Sequence, residues 1–259
     1  MKPIVFSLGY RCSSAGILKH LGIKTESYPF DWLISRLPII KDCIENNFQH
    51  FLNKDNYQKC ETKTNHYFHS NNDTYKNNSI LICNESIVYN TYYQTKFTKD
   101  ELVIPSFLHF PHDTYSFHLA LNHRDILCDE DHEYFKRCID RFKKIMTTND
   151  NKISLYIHPV LSLFDFENNK ENLFNQFIEF HTYISLITTN LRGLYIVIVK
   201  KNISTNIYIE KIETKKKDCE IYILYTNENF IDAGEIFMQP NHALETHLLI
   251  ELVKSFIII

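Results

Sequence analysis

The second half of the chain alternates between two hydrophobic periods, and this restricts its fold more than any other feature. Residues 152–158, 194–199 and 220–226 are short apolar runs rich in β-branched side chains. Runs of this length and composition predict buried strands. Residues 171–189 and 243–253 carry apolar side chains at helical spacing, which predicts a helix in each. Residues 207–212 fit either period. Strands separated by helical patterns predict βαβ units. The expected class is therefore α/β, a mostly parallel Rossmann-like sheet with helices on both faces.

The first half is less regular. Residues 3–8 predict a buried strand, and 13–21 a helix that stops at Gly22. Residues 35–47 predict a second helix, with Pro38 in its first turn. Residues 129–146 predict a third, because Asp129, Glu130 and Asp131 suit the positive end of its dipole. Residues 53–79 are polar and read as loop with weak extended character, 79–89 as a strand pair or a strand and turn, and 103–110 as an apolar run. No repeat or linker divides the chain. The expectation is one domain over 1–259 with an irregular insertion at about 53–100.

Composition narrows the function classes. The 259 residues carry a formal net charge of -3, so no overall basic field draws in nucleic acid. No apolar window approaches the ~18 residues of a membrane span, and the N-terminal apolar run is too short for a signal peptide. Neither nucleic acid nor membrane is expected as a partner. The 7 cysteines are odd in number, scattered, and without a Cys-x-x-Cys pair. That pattern predicts free thiols in a reducing compartment, hence a cytoplasmic protein. Abundant Asn, Ile and Lys match AT-rich genomes, including many large DNA viruses and some bacteria; for a virus the compartment would be the host cytoplasm. The His66/His69 and His109/His112 pairs lie in segments that do not read as helical, so no metal or other cofactor is expected. The sequence does not give the oligomeric state.

The chemistry concentrates near the N-terminus. Of 5 glycines in the chain, Gly9, Gly16 and Gly22 fall in the first 22 residues. Gly9-Tyr10-Arg11-Cys12 forms a tight turn from strand to helix. It places Cys12 at a helix N-terminus, where unpaired N–H groups and the helix dipole favour the reactive thiolate. The same N–H groups suit an oxyanion in acyl transfer. A second reading has Gly9, Tyr10, Arg11 and Ser13 binding an anionic ligand, such as a nucleotide sugar or glycan, with Cys12 as a packing residue. His158 ends a predicted strand. In a parallel sheet it shares the ligand-binding edge with Cys12, either as the base for the thiol or as a residue closing the sheet.

Three blocks, Ser7-Leu8-Gly9-Tyr10-Arg11-Cys12-Ser13-Ser14-Ala15, Leu18-Lys19-His20-Leu21-Gly22-Ile23 and Ser27-Tyr28-Pro29-Phe30-Asp31-Trp32-Leu33, resemble the opening signature of a family labelled "putative papain-like cysteine peptidase". Phe110-Pro111-His112-Asp113 is similar to that family's His-Asp block. The resemblance implies Cys12 as nucleophile and His112 as its base, with Asp113 or another polar group orienting the imidazole. It also implies a papain-like α+β fold, the alternative to the parallel sheet, with the cysteine on a long helix and the histidine on an antiparallel sheet. Asp31 is read either as a substrate-binding or histidine-orienting group or as a turn cap. Trp32 is read either as an aromatic wall of the site or as packing. Two functions remain: a cysteine hydrolase or acyltransferase acting on a peptide, acyl or glycan-type substrate, with His112 or His158 as base, and a non-catalytic Rossmann-like module that binds an anion.

Overall fold

A computed structural model describes residues 2–10, 12–67, 80–98, 119–121, 123–160, 163–200, 207–226 and 243–258. Two sheets organise them. The first has five strands in the order β1 (Ile4–Ser7), β6 (Lys152–Val160), β7 (Leu191–Lys200), β9 (Cys219–Thr226) and β8 (Tyr208–Ile212). The first four run parallel, and β8 is an antiparallel edge. The second sheet is antiparallel, in the order β2 (Leu33–Ile34), β5 (Ala120–Leu121), β4 (Ile80–Asn90) and β3 (Tyr57–Tyr67). The chain is thus mixed α/β, with one mostly parallel sheet and one antiparallel sheet.

Period-2 alternation sorts the parallel strands into two cores. On one face Val5, Ile153, Leu155, Ile157, Leu194 and Ile196 meet Ile17 and Leu18 of α1 (Ser13–His20). Leu249, Val253 and Phe256 of α7 (Ala243–Ile258) complete that layer. On the other face Phe6, Tyr156, Tyr195, Val197 and Ile223 pack with side chains of three helices. These are α2 (Leu37–Glu45), α5 (Asp129–Thr147) and α6 (Leu163–Ile187). Short α3 (Gln49–Leu52) and α4 (Thr91–Lys96) flank the second sheet. At the N-terminal edge of the parallel sheet, buried Lys152 donates to the carbonyls of Thr148, Asp150 and Thr189 at 2.7, 2.9 and 3.0 Å. That edge is closed by the protein's own polar groups.

Several elements differ from expectation, β3, β4 and α6 among them. Residues 57–67, expected as loop, form β3, and 80–90 form a single partner strand in register from Tyr57↔Asn90 to Tyr67↔Ile80. The polar composition hid the strand. Helix α6 begins at Leu163 rather than near 171. Its buried stripe Phe166, Leu173, Phe177, Phe180 and Ile184 keeps helical spacing back to Phe166, while Asn168 and Asn169 mask it in the sequence. The apolar run 103–110 lies outside the described residues.

Gly9 joins β1 to α1 at φ +84°, and a Cβ there would sit 2.6 Å from Ser35 Oγ and 3.0 Å from the Phe30 carbonyl. A side chain at this position meets both backbone strain and backbone oxygen. Gly9→Ala is expected to cost about 1–3 kcal/mol. Urea unfolding checks this; a stability equal to that of the unmodified chain would contradict it.

Candidate active site

The turn after β1 is held on three sides. Ser7 Oγ accepts from the Gly9 N–H at 3.1 Å. Ser14 Oγ donates to the Gly9 carbonyl at 3.0 Å and accepts the Ile157 N–H at 3.2 Å, tying α1 to the turn and to β6. The Ser35 N–H donates to the Tyr10 carbonyl at 3.2 Å. Tyr10 itself has φ +40°, a conformation that a residue with a Cβ keeps only when its surroundings enforce it.

The turn delivers Cys12 to the N-terminus of α1. Its carbonyl accepts the helix's first bond, from Gly16 N–H at 2.7 Å. No side chain caps this end and no acidic residue stands in the first turn. The N–H groups before Gly16 therefore have no acceptor within the helix.

The Cys12 Sγ lies 3.0 Å from His123 Nε2, across a sequence separation of 111 residues. His123 lies two residues past the end of β5, which is paired with β2 (Leu33↔Leu121, Ile34↔Ala120) and with β4 (Val88↔Leu121, Tyr89↔Ala120). Past His123 the chain is clamped by Asp131 in the first turn of α5. One Asp131 oxygen accepts from Asp125 N–H at 2.8 Å, and the other pairs with Arg124. Burial disfavours the charged form of Asp131, but the Asp125 N–H and Arg124 outweigh it and hold the carboxyl below its ordinary range. The thiol thus comes from the parallel sheet and the imidazole from the antiparallel one.

The Pro29-Phe30-Asp31-Trp32 block serves this junction. Phe30 is fully buried against Phe48, Phe51 and Phe142. Asp31 is turned inward, where it pairs with Lys24 and accepts from Tyr28 N–H at 2.7 Å. Desolvation dominates at Asp31 and pushes its pKa up, against the pull of Lys24. Trp32 packs edge-on to the His123 ring at 6.4 Å.

His158 is 2% exposed, its ring 5.1 Å from that of Tyr10 and its Nδ1 3.5 Å from Tyr156 Oη. Burial, then the nearby Arg36 charge, pushes its pKa well down, so the ring is neutral near pH 7. His112, Asp113 and Arg11 lie outside the described residues, as do His69, His109 and the side chain of His66. Among the described residues no cluster of three or more His, Cys, Asp or Glu is placed to hold a metal ion. Nor is any helix there long and apolar enough to cross a membrane.

Sequence reasoning missed His123. It sits in Leu121-Asn122-His123-Arg124-Asp125, after a two-residue strand too short to show alternation. The one usable signal was its position just ahead of the acidic start of α5.

The sequence model of the family described as "Putative papain-like cysteine peptidase" matches residues 4–202 of the chain. No curated protein and no solved structure matches it.

Two outcomes follow from the paired carboxylates Asp31 and Asp131. Asp31→Ala leaves Lys24 without its partner and is expected to cost about 3–5 kcal/mol, with Asp31→Asn costing less because its amide oxygen still accepts from Tyr28. Thermal or urea unfolding reads the difference, and equal losses would contradict it. For Asp131 the lowered pKa means stabilisation that is present above the unfolded-state pKa of about 3.9. It is lost as pH falls through the lower folded value. Asp131→Asn is expected to flatten the stability–pH curve in that acid window and to leave its shape above pH 5 unchanged.

Proposed function

The chain belongs to that family, and we propose that it is a cysteine hydrolase with Cys12 as nucleophile and His123 as base. The observation that carries this reading is the 3.0 Å approach of His123 Nε2 to Cys12 Sγ at the start of α1. Transfer of the thiol proton to the imidazole gives a thiolate–imidazolium pair. The thiolate attacks an acyl carbonyl, and the uncapped N–H groups of the first turn of α1 receive the oxyanion. The imidazolium protonates the leaving group as its bond to the carbonyl carbon breaks. Water, deprotonated by the imidazole, then cleaves the thioester and restores the thiol. Trp32 holds the imidazole ring from its edge.

The architecture supports a Rossmann-like reading for the layer that carries Cys12, through four parallel strands with helices on both faces and a site at their C-terminal edge. The papain-like element is confined to the site, where a helix N-terminus supplies the cysteine and an antiparallel sheet leads to the histidine. His158, buried and neutral beneath Tyr10, is assigned to the wall of the site.

The cysteines provide internal controls. Cys43 is fully buried, and burial pushes its thiol far up. Cys138 is also raised by burial, and Cys219 is pushed up to about 12 by the same cause. Cys128 is exposed. In pH-dependent iodoacetamide labelling read by mass spectrometry, Cys12 is expected to react about tenfold or more faster than Cys128 near pH 6–7. His123→Ala is expected to remove that advantage, and Cys43 and Cys219 to stay unlabelled until unfolding. Equal rates for Cys12 and Cys128, unchanged in His123→Ala, would sink the nucleophile assignment. Once a substrate is in hand, His123→Ala is expected to lower kcat by about 10²–10⁴, and Cys12→Ser to act comparably.

A further inference from the structure

Against Tyr10, in the turn that leads to Cys12, lies a buried positive charge that the reaction above does not use. Arg36, between β2 and α2, is 3% exposed. Its guanidinium lies over the Tyr10 ring at 4.1 Å, and Nη2 donates to Tyr10 Oη at 3.0 Å. Nε and Nη1 have no hydrogen-bond partner. Among the described residues no carboxylate pairs with it.

A buried cation left without a carboxylate is costly, and buried charges are ordinarily paired. The surroundings add to the deficit of negative charge. Arg36 is the N-cap of α2, which has no side-chain cap and no acidic residue in its first turn. Helix α1 is uncapped in the same way, and the hydroxyl of Ser13 in its first turn is buried with no partner. Tyr10 links the two ends, since its carbonyl accepts from Ser35 N–H and its hydroxyl from Arg36. His158, packed on Tyr10, is neutral and supplies no counter-charge.

Guanidinium geometry specifies the missing group. Nη2 carries two hydrogens, one on the Nε side and one on the Nη1 side. Tyr10 takes one of them. Whichever it takes, the other still forms a two-donor edge with Nε or with Nη1. Such an edge matches two oxygens of one planar or tetrahedral oxyanion.

We propose that Arg36 is the anchor of an oxyanion-binding subsite at the C-terminal edge of the parallel sheet, which takes a carboxylate or phosphate group of a ligand bidentately. The assignment rests on Arg36 and its open donors, and not on Cys12 being a nucleophile.

The test is thermal unfolding of the full chain at constant ionic strength, titrated separately with inorganic phosphate and with succinate against a chloride reference. The unmodified chain is expected to show a saturable rise in Tm with at least one of the two, and the stronger one identifies the oxyanion as phosphate or carboxylate. Arg36→Lys keeps the charge but loses the two-donor edge, so its affinity is expected to fall roughly tenfold or more. Arg36→Met is expected to show no saturable rise, and if it does not fold, the lysine variant decides. Absence of a saturable effect in the unmodified chain overturns the proposal, as does equal affinity in Arg36→Lys. Neither result bears on the labelling of Cys12, so the subsite and the nucleophile fail or stand separately.

Discussion

The structure hinges on the backbone reversal at Gly9 and Tyr10, two successive residues at positive φ (+84° and +40°) between β1 and α1. Hydroxyls hold it: Ser7 from the strand and Ser14 from the helix on the Gly9 peptide groups, and Ser35 on the Leu8 carbonyl. The reversal has two outputs. It starts α1 at the sheet edge with Cys12 on its first turn, and it turns the Tyr10 carbonyl toward Ser35 N–H. Ser35 follows β2, β2 pairs with β5, and β5 ends two residues before His123. The thiol and the imidazole are therefore two ends of one short mechanical path through Tyr10. Strain at Tyr10 is tolerated because this path over-determines it.

The two edges of the parallel sheet solve their electrostatics in opposite ways. At the N-terminal edge Lys152 is buried, but three carbonyls accept hydrogen bonds from its ammonium, so the cation is satisfied from within. At the C-terminal edge two helix N-termini, a guanidinium and an unpartnered serine hydroxyl gather with a neutral histidine. Helix dipoles there point their positive ends at the same corner. The N-terminal edge balances its charge internally, whereas the C-terminal edge, the side on which open α/β sheets bind ligands, leaves positive charge unbalanced.

Much of the parallel layer was legible. β-Branched runs bounded by polar turns marked β1, β6, β7 and β9, and the acidic first turn marked α5. Cys12 was legible for the same reason, since a scarce glycine at a strand end signals a turn and the residues after it signal a helix start. The antiparallel sheet was not. β3 is polar, β2 and β5 are two residues each, and no periodicity exists over two residues. His123 was hidden with them: its place is set by pairing between segments far apart in the chain, and among 13 histidines spacing gave no reason to choose it. Asp31 and Trp32 were recognised as a singular pair, but their division of labour needed coordinates. One side chain faces Lys24 and the other faces His123, and they diverge from the turn that precedes β2.

A separation of 111 residues between thiol and imidazole also sets when the pair comes into being. Contacts between distant parts of a chain carry a loop-closure cost and form late relative to local structure. Helix α1 and its thiol arise from a local stretch, whereas the imidazole arrives only after β5 has found both β2 and β4. A chain still emerging from synthesis, or one that has lost the second sheet, carries Cys12 without its histidine. On the proposed reading, thiolate chemistry at Cys12 belongs to the completed tertiary structure, because the unfinished chain lacks the base that would take the thiol proton.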